Sequence, residues 1–111
     1  MNEKNFPKLK NFKYINKKIK AWNKHFLAPE IIEKQKINEK VDIWSFGILI
    51  YYIIYNKYPF NGKNKILLYK SIIKNKIKFW LNIKPSLKDL IKKMLEIDVN
   101  KRIGIWQVLQ H

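Results

Sequence analysis

Residues 41–55 read VDIWSFGILIYYIIY, the most apolar stretch of a chain of 111 residues. Its length decides the fold class. The run is too long for an ordinary strand, despite its β-branched and aromatic content. It is too short to cross a bilayer, and Asp42, Ser45 and Gly47 interrupt its first turns. A helix apolar on nearly every side is one buried at the centre of a helical domain. Asn56 to Pro59 is expected to end it.

Outward from that helix the pattern stays helical. Asn64 to Asn75 places Ile66, Leu67, Tyr69, Lys70 and Ile73 in a loose helical rhythm, which predicts a further helix. Residues 76–85 read as irregular, with Phe79 and Trp80 as anchors against the core. Ser86-Leu87-Lys88-Asp89 has the form of a capping box, in which the hydroxyl takes a free N–H and the carboxylate reaches back. Leu87, Leu90, Ile91, Met94 and Leu95 then form an amphipathic stripe. Asp98 to Lys101 turns the chain, and Gly104 to His111 begins a last helix with Ile105, Val108 and Leu109 expected inward. Toward the other end, Pro29 is placed to open a short helical turn over Glu30 to Lys34, since proline suits a first helical position. Residues 1–27 show scattered aromatics without a period and read as extended pieces and loop. The fold class is mainly α.

Composition narrows the function. There is no cysteine, hence no disulfide framework and no thiolate nucleophile or zinc–thiolate site. His25 and His111 lie too far apart in sequence for a local metal motif, and His25 reads as a loop residue rather than a base. The first twenty residues carry repeated lysines and no apolar h-region, so the expectation is a cytoplasmic chain with no membrane span. The formal charge of +16 would favour nucleic acid or an acidic membrane surface. Of the basic residues, however, only Arg102 is arginine, and the lysines are spread from Lys4 to Lys101. Phosphate-binding patches usually include arginine for bidentate contacts. Lys, Ile and Asn make up 54 of the 111 residues, the drift expected of an AT-rich coding sequence. Nucleic acid is therefore the weaker reading of the charge.

Three local patterns now fall in a known order. Phe26-Leu27-Ala28-Pro29-Glu30-Ile31-Ile32 resembles the Ala-Pro-Glu motif that closes the activation segment of protein kinases. Val41 to Gly47 resembles the start of the central F helix of that fold, and Tyr58-Pro59-Phe60 follows it at the family's spacing. Residues 86–109 resemble the H helix, an Asp-x-x-x-Arg turn and the I helix. The style is that of Ser/Thr kinases of the calcium/calmodulin-dependent and calcium-dependent group. The resemblance implies the helical C-terminal lobe of a kinase domain, with residues 1–111 running from the end of the activation segment through F-, G-, H- and I-type helices. It implies that Glu30 pairs with Arg102, where a planar guanidinium can bind a carboxylate twice and an ammonium cannot. It also implies that Asp42 braces the backbone of the catalytic loop, alongside the plainer reading of a charge complementing a helix dipole.

Phosphoryl transfer needs phosphates cradled, magnesium held and a hydroxyl positioned. The family's Gly-rich loop, strand lysine with its glutamate, and His-Arg-Asp loop are not in this sequence, and would be expected before Met1. If Leu9 to Lys13 is aligned with the strand entering Asp-Phe-Gly, Asn11 replaces the magnesium-binding Asp and Lys13 the Gly; ordinary loop is the equal alternative. A neutral amide is a poor ligand for a hard cation. Asn23 stands where the family has a Thr contacting the catalytic Asp, and no Ser or Thr occurs before Ser45. The expectations are thus a partial kinase domain, inactive as this chain, with ATP and Mg as the family's cofactors and none of its own. Asn23, Phe26 and Leu27 would form the edge of a substrate platform, and the Asn64–Asn75 helix a docking surface for protein. A pseudokinase-like protein-binding scaffold, and a basic nucleic-acid or membrane-surface binder, remain the alternatives. Loss of the helix that covers one side of the central helix is expected to expose Ile and Tyr surface.

Overall fold

A computed structural model describes residues 24–36, 38–80 and 82–111. The sequence readings for residues 1–23, Asn11 and Asn23 among them, lie outside the described residues. A 3-10 turn (Lys24–Phe26) leads into α1 (Pro29–Ile32), followed by α2 (Lys40–Tyr55), α3 (Lys65–Lys74), α4 (Pro85–Met94) and α5 (Ile105–Gln110). Among the described residues there is no strand. Fold class follows the sequence reading.

Helix ends are set largely by asparagine. Asn64 caps α3 with its side chain, accepting from Leu67 N at 2.9 Å. Asn56 and Asn75 close α2 and α3 in the left-handed region, φ 54° and 46°, which Asn tolerates better than most residues. Pro29 takes the first position of α1, as its fixed φ suits.

Around α2 the core assembles. Trp44, Ile48 and Tyr51 on its inner face pack with Ala28, Phe60, Leu68 and Ile72 of α3, and Ile91 and Leu95 beside α4. Each such fully buried aliphatic or aromatic side chain contributes about 1.5–3 kcal/mol. A smaller cluster joins Ile43, Met94 and Ile103, with Val108 against it. Gly47 permits the close approach of α4: a Cβ there would stand 2.8 Å from Leu95 Cδ2 and 3.0 Å from Met94 Cβ.

Five expectations need correction. Helix α2 is not buried all round, for Phe46, Leu49 and Ile53, one stripe at helical spacing, are 53%, 38% and 70% exposed. The tyrosines expected on that open side are held elsewhere: Tyr51 is buried, Tyr52 stacks on Tyr58, and Tyr55 packs against Phe79 and Trp80. Ser86 does not cap α4, because Pro85 occupies the first helical position and Lys84 precedes it without a side-chain cap. Asp89 instead takes His111 Nε2 at 2.8 Å and Lys93 Nζ at 2.9 Å, hydrogen bonds that hold its carboxyl below the usual range. In α5 only Val108 turns inward. Ile105 and Leu109 are exposed, since this short helix packs one edge on the smaller cluster. The stripe in α3 also shifts, with Leu68 and Ile72 buried while Ile66, Leu67 and Ile73 face out.

Candidate functional site

The Asp98 turn builds a densely hydrogen-bonded polar centre. Asp98 Oδ1 accepts from Asn100 N at 2.9 Å, and its carbonyl accepts from Lys101 N and Arg102 N, both at 2.9 Å. An Asx turn of this kind reverses the chain and sends the next side chain inward. That side chain is Arg102, 1% exposed, and it meets Glu30, 2% exposed. Arg102 Nη1 donates to Glu30 Oε2 at 2.7 Å and Nη2 donates to Glu30 Oε1 at 2.8 Å, the two-pronged arrangement a lysine cannot make. The other donors are also used. Nε reaches Glu96 O at 2.8 Å, Nη1 reaches Lys40 O at 2.9 Å, and Nη2 reaches Ile97 O at 3.3 Å. All five guanidinium N–H groups thus have acceptors, and the plane lies 5.1 Å from the Trp44 ring. One residue ties α1, the start of α2 and the segment after α4 together.

Glu30 sits in α1 directly after the Phe26–Leu27 segment, so fixing α1 fixes that segment. Ser45 Oγ donates to Phe26 O at 3.0 Å, pinning the 3-10 turn onto α2. Leu27 is buried and Phe26 half-buried, edge-on to Tyr58. His25 stacks on Tyr58 with ring centroids 4.2 Å apart and planes within 8°. Burial, and then the neighbouring Lys24, push the His25 imidazole below its ordinary pKa, so it is the neutral form that packs. The sequence reading had no signal for either the Ser45 anchor or the His25–Tyr58 stack, because both depend on partners brought from α2 and the loop after it.

Asp42 is exposed in the first turn of α2, on the same side as the open stripe of Phe46, Leu49 and Ile53. Across from the Phe26 turn, α3 leans on α1 through the Tyr69 hydroxyl, which donates to the Glu33 carboxylate. Between the 3-10 turn and α3 lies an open cleft of about 810 Å³. On the far side of the core, the Tyr51 hydroxyl donates to Lys78 O at 2.5 Å and holds the irregular segment before α4. Burial, then the neighbouring Tyr55, pushes that phenol up to about 12. Phe79 packs edge-on to Tyr51, while Trp80 remains 46% exposed beneath Lys57.

The described residues do not fit a nucleotide–magnesium site. They hold no cluster of three His, Cys, Asp or Glu side chains able to take a cation, and no glycine-rich loop. Nor is any helix among them long and apolar enough to cross a membrane.

Comparison with known proteins agrees with this geometry. The family model described as "Protein kinase domain" matches residues 9–111. A "cAMP-dependent protein kinase, catalytic subunit-like" protein of Caenorhabditis briggsae is 46% identical over 79 residues, 71% of this chain and 20% of the relative. An "Aurora kinase" of Eremothecium gossypii is 36% identical over 86 residues, 78% of this chain and 23% of its own length. A "Serine/threonine-protein kinase H1 homolog" of Danio rerio is 32% identical over 90 residues, 78% of this chain and 21% of its own. The chain therefore spans about a fifth of the length of these relatives.

Proposed function

The chain belongs to the protein kinase domain family, and from that premise we propose that it is the substrate-presenting helical part of a Ser/Thr kinase. The reaction would be transfer of the ATP γ-phosphate to a protein Ser or Thr hydroxyl. The observation that carries the reading is the five-donor Arg102 centre, which fixes α1 and with it the Phe26–Leu27 segment. Asn23 and Phe26 would border the acceptor peptide, with buried Leu27 contributing backbone and anchoring that edge, and exposed Asp42 would brace a catalytic loop laid along the open face of α2. ATP and magnesium, which the family uses, would be held by residues other than those described. These 111 residues alone would transfer no phosphate, because the sequence lacks the Gly-rich loop and the His-Arg-Asp loop. The finer likeness to calcium/calmodulin-dependent and calcium-dependent kinases rests on the three quoted stretches alone. A cytoplasmic setting is part of the same proposal.

The test is a segment exchange. This chain replaces the corresponding C-terminal segment of a cAMP-dependent-type relative, and transfer of labelled phosphate to protein is measured beside the chain alone. Transfer by the folded hybrid and none by the chain alone is expected. A folded but inactive hybrid, or transfer by the chain alone, would overturn the reading. The departure at Asn23, joined by Asn11 under the alignment with the magnesium-binding Asp, favours a second reading, a pseudokinase-like scaffold that binds a partner protein through the same face.

A further inference from the structure

The cleft between the 3-10 turn and α3 is lined by His25, Asn61, Lys63, Lys70, Ser71 and Lys74, with Leu67 on its wall. It is a broad depression of about 810 Å³, open to solvent rather than enclosed, a shape suited to an extended chain more than to a small molecule. Lys70, Ser71 and Lys74, together with Leu67, share one face of α3 by their spacing, and Lys63 approaches from the loop before it. Among the described residues, none that lines it is acidic. Four lysines among the described residues are engaged elsewhere: Lys93 pairs with Asp89, Lys57 and Lys88 lie over Trp80 and Phe79, and Lys40 donates to Val99 O. Lys63, Lys70 and Lys74 are exposed and have no ion-pair partner among the described residues.

We propose that this cleft is a recognition site for acidic peptide, binding Glu- or Asp-rich sequence against Lys63, Lys70 and Lys74. It rests on the reading of the lobe as a substrate platform and names the class of sequence that platform accepts. Three ammonium groups bordering one depression attract carboxylates and steer their approach. Asn61 and Ser71 add neutral polar groups, though Ser71 Oγ already accepts from Asn61 N at 3.3 Å. Leu67, 43% exposed, and the stacked His25 ring offer apolar contact to the peptide's other side chains. Nucleic acid fits the same walls less well. The one arginine is buried in the core, and the His25 ring is already stacked on Tyr58, leaving neither bidentate phosphate contacts nor a free platform for bases.

The test uses the 111-residue chain and a fluorescein-labelled Glu/Asp-rich peptide, with the Gln/Asn version of the same peptide and a labelled DNA duplex as comparisons. The acidic peptide should bind, and its neutral version about tenfold or more weaker. The charge reversals Lys63→Glu, Lys70→Glu and Lys74→Glu together should weaken the acidic peptide by a similar factor. Reversing exposed Lys84, Lys92 and Lys101, which lie off the cleft, should change it less than about twofold. Circular dichroism identical to wild type certifies both variants. Equal weakening by the two triple variants would assign binding to the diffuse +16 charge and overturn the site. Duplex binding tighter than the peptide's, and lost with the cleft lysines, would overturn it in favour of nucleic acid. Phosphotransfer by the hybrid kinase separates the two readings. A hybrid that transfers phosphate but does not prefer acidic over neutral peptides refutes the cleft while sparing the platform. A cleft that captures acidic peptide in an inactive hybrid does the reverse.

Discussion

Glu30→Gln is the most informative single change in this molecule. The glutamine keeps the shape of the carboxylate and removes its charge, leaving a guanidinium 1% exposed with no counter-ion. Breaking a buried pair in this way costs about 3–5 kcal/mol. Arg102→Lys asks a separate question, because it keeps the charge and loses the fork. An ammonium has three donors for five acceptors, so two of the buried oxygens lose their hydrogen bonds, at roughly 2–6 kcal/mol together. The double variant Glu30→Met, Arg102→Met is the sharper discriminator. Replacing an isolated buried ion pair by apolar side chains is often neutral or stabilising. Here the carbonyls of Lys40, Glu96 and Ile97 would be stranded as well. The double variant is therefore expected to stay at least ~3 kcal/mol below wild type, about 1 kcal/mol or more for each carbonyl. Urea denaturation followed by tryptophan fluorescence reads all four proteins, since buried Trp44 lies against Arg102. Such losses take a large share of the about 5–15 kcal/mol total stability of a small domain, so the single variants should unfold at clearly lower urea than wild type, and a domain at the low end of that range would be partly unfolded in water. Either single variant within about 0.5 kcal/mol of wild type, or a double variant matching it, would refute the reasoning.

Two further changes test the frame around that centre. Tyr51→Phe removes the bond to Lys78 O at a cost of about 1 kcal/mol at neutral pH. It should also flatten an alkaline limb. With the folded phenol pushed up to about 12 from an ordinary 10, the unfolded chain releases its proton first. Tyr51's contribution is therefore complete below pH 10 and lost as pH rises toward 12, where wild type and variant should converge in urea titrations. A gap between them that stays constant over that range would contradict the assignment. Gly62→Ala and Gly47→Ala should differ in thermal melting. A Cβ at Gly62 would meet backbone, Leu68 N at 2.2 Å and Leu67 C at 2.6 Å, whereas Gly47 meets chiefly the Leu95 side chain, which can shift. Gly47→Ala is expected to cost about 1–3 kcal/mol from overpacking, offset by about 0.5–1 kcal/mol of helix propensity. Gly62→Ala should lower the melting temperature further and weaken acidic-peptide binding, because Gly62 lines the cleft.

What was legible in the sequence was whatever a local pattern or a scarce residue could carry. The length of the 41–55 run set the central helix, and the Leu87–Leu95 stripe set α4. Arg102 stood out because every other strong base is lysine, and a guanidinium is irreplaceable only where several acceptors converge. What was not legible depended on which side of an element meets which neighbour. An apolar helix offers no contrast from which to read its open face, so Phe46, Leu49 and Ile53 could not be told from Trp44, Ile48 and Tyr51. The capping pattern at Ser86 was outweighed by a proline one residue earlier, which competes for the same start. The cleft lay beyond reach for a further reason: its walls come from the 3-10 turn, the loop before α3 and α3 itself, and no linear spacing links His25 to Lys74.

The compositional bias that obscures this chain becomes readable once each residue is placed. Asparagine is abundant, and three of its copies close or cap helices, at Asn56, Asn64 and Asn75, where its side chain or its tolerance of positive φ is useful. Lysine is abundant, and where water can solvate the charge it serves as well as arginine would. Several copies cover rings or reach carbonyls, so their charge is incidental to their place in the fold. Only at position 102, sealed from water and faced by five acceptors, does the chain carry arginine. The net charge of +16 is therefore not one property but two. Most of it is solvated surface with no direction. The part that borders the cleft, at Lys63, Lys70 and Lys74, stands beside the very segment that the Arg102 centre holds in place. A segment held by hydrogen bonds next to an open basic surface suits an extended acidic chain, whose ordering cost falls when one side of its binding site is already fixed.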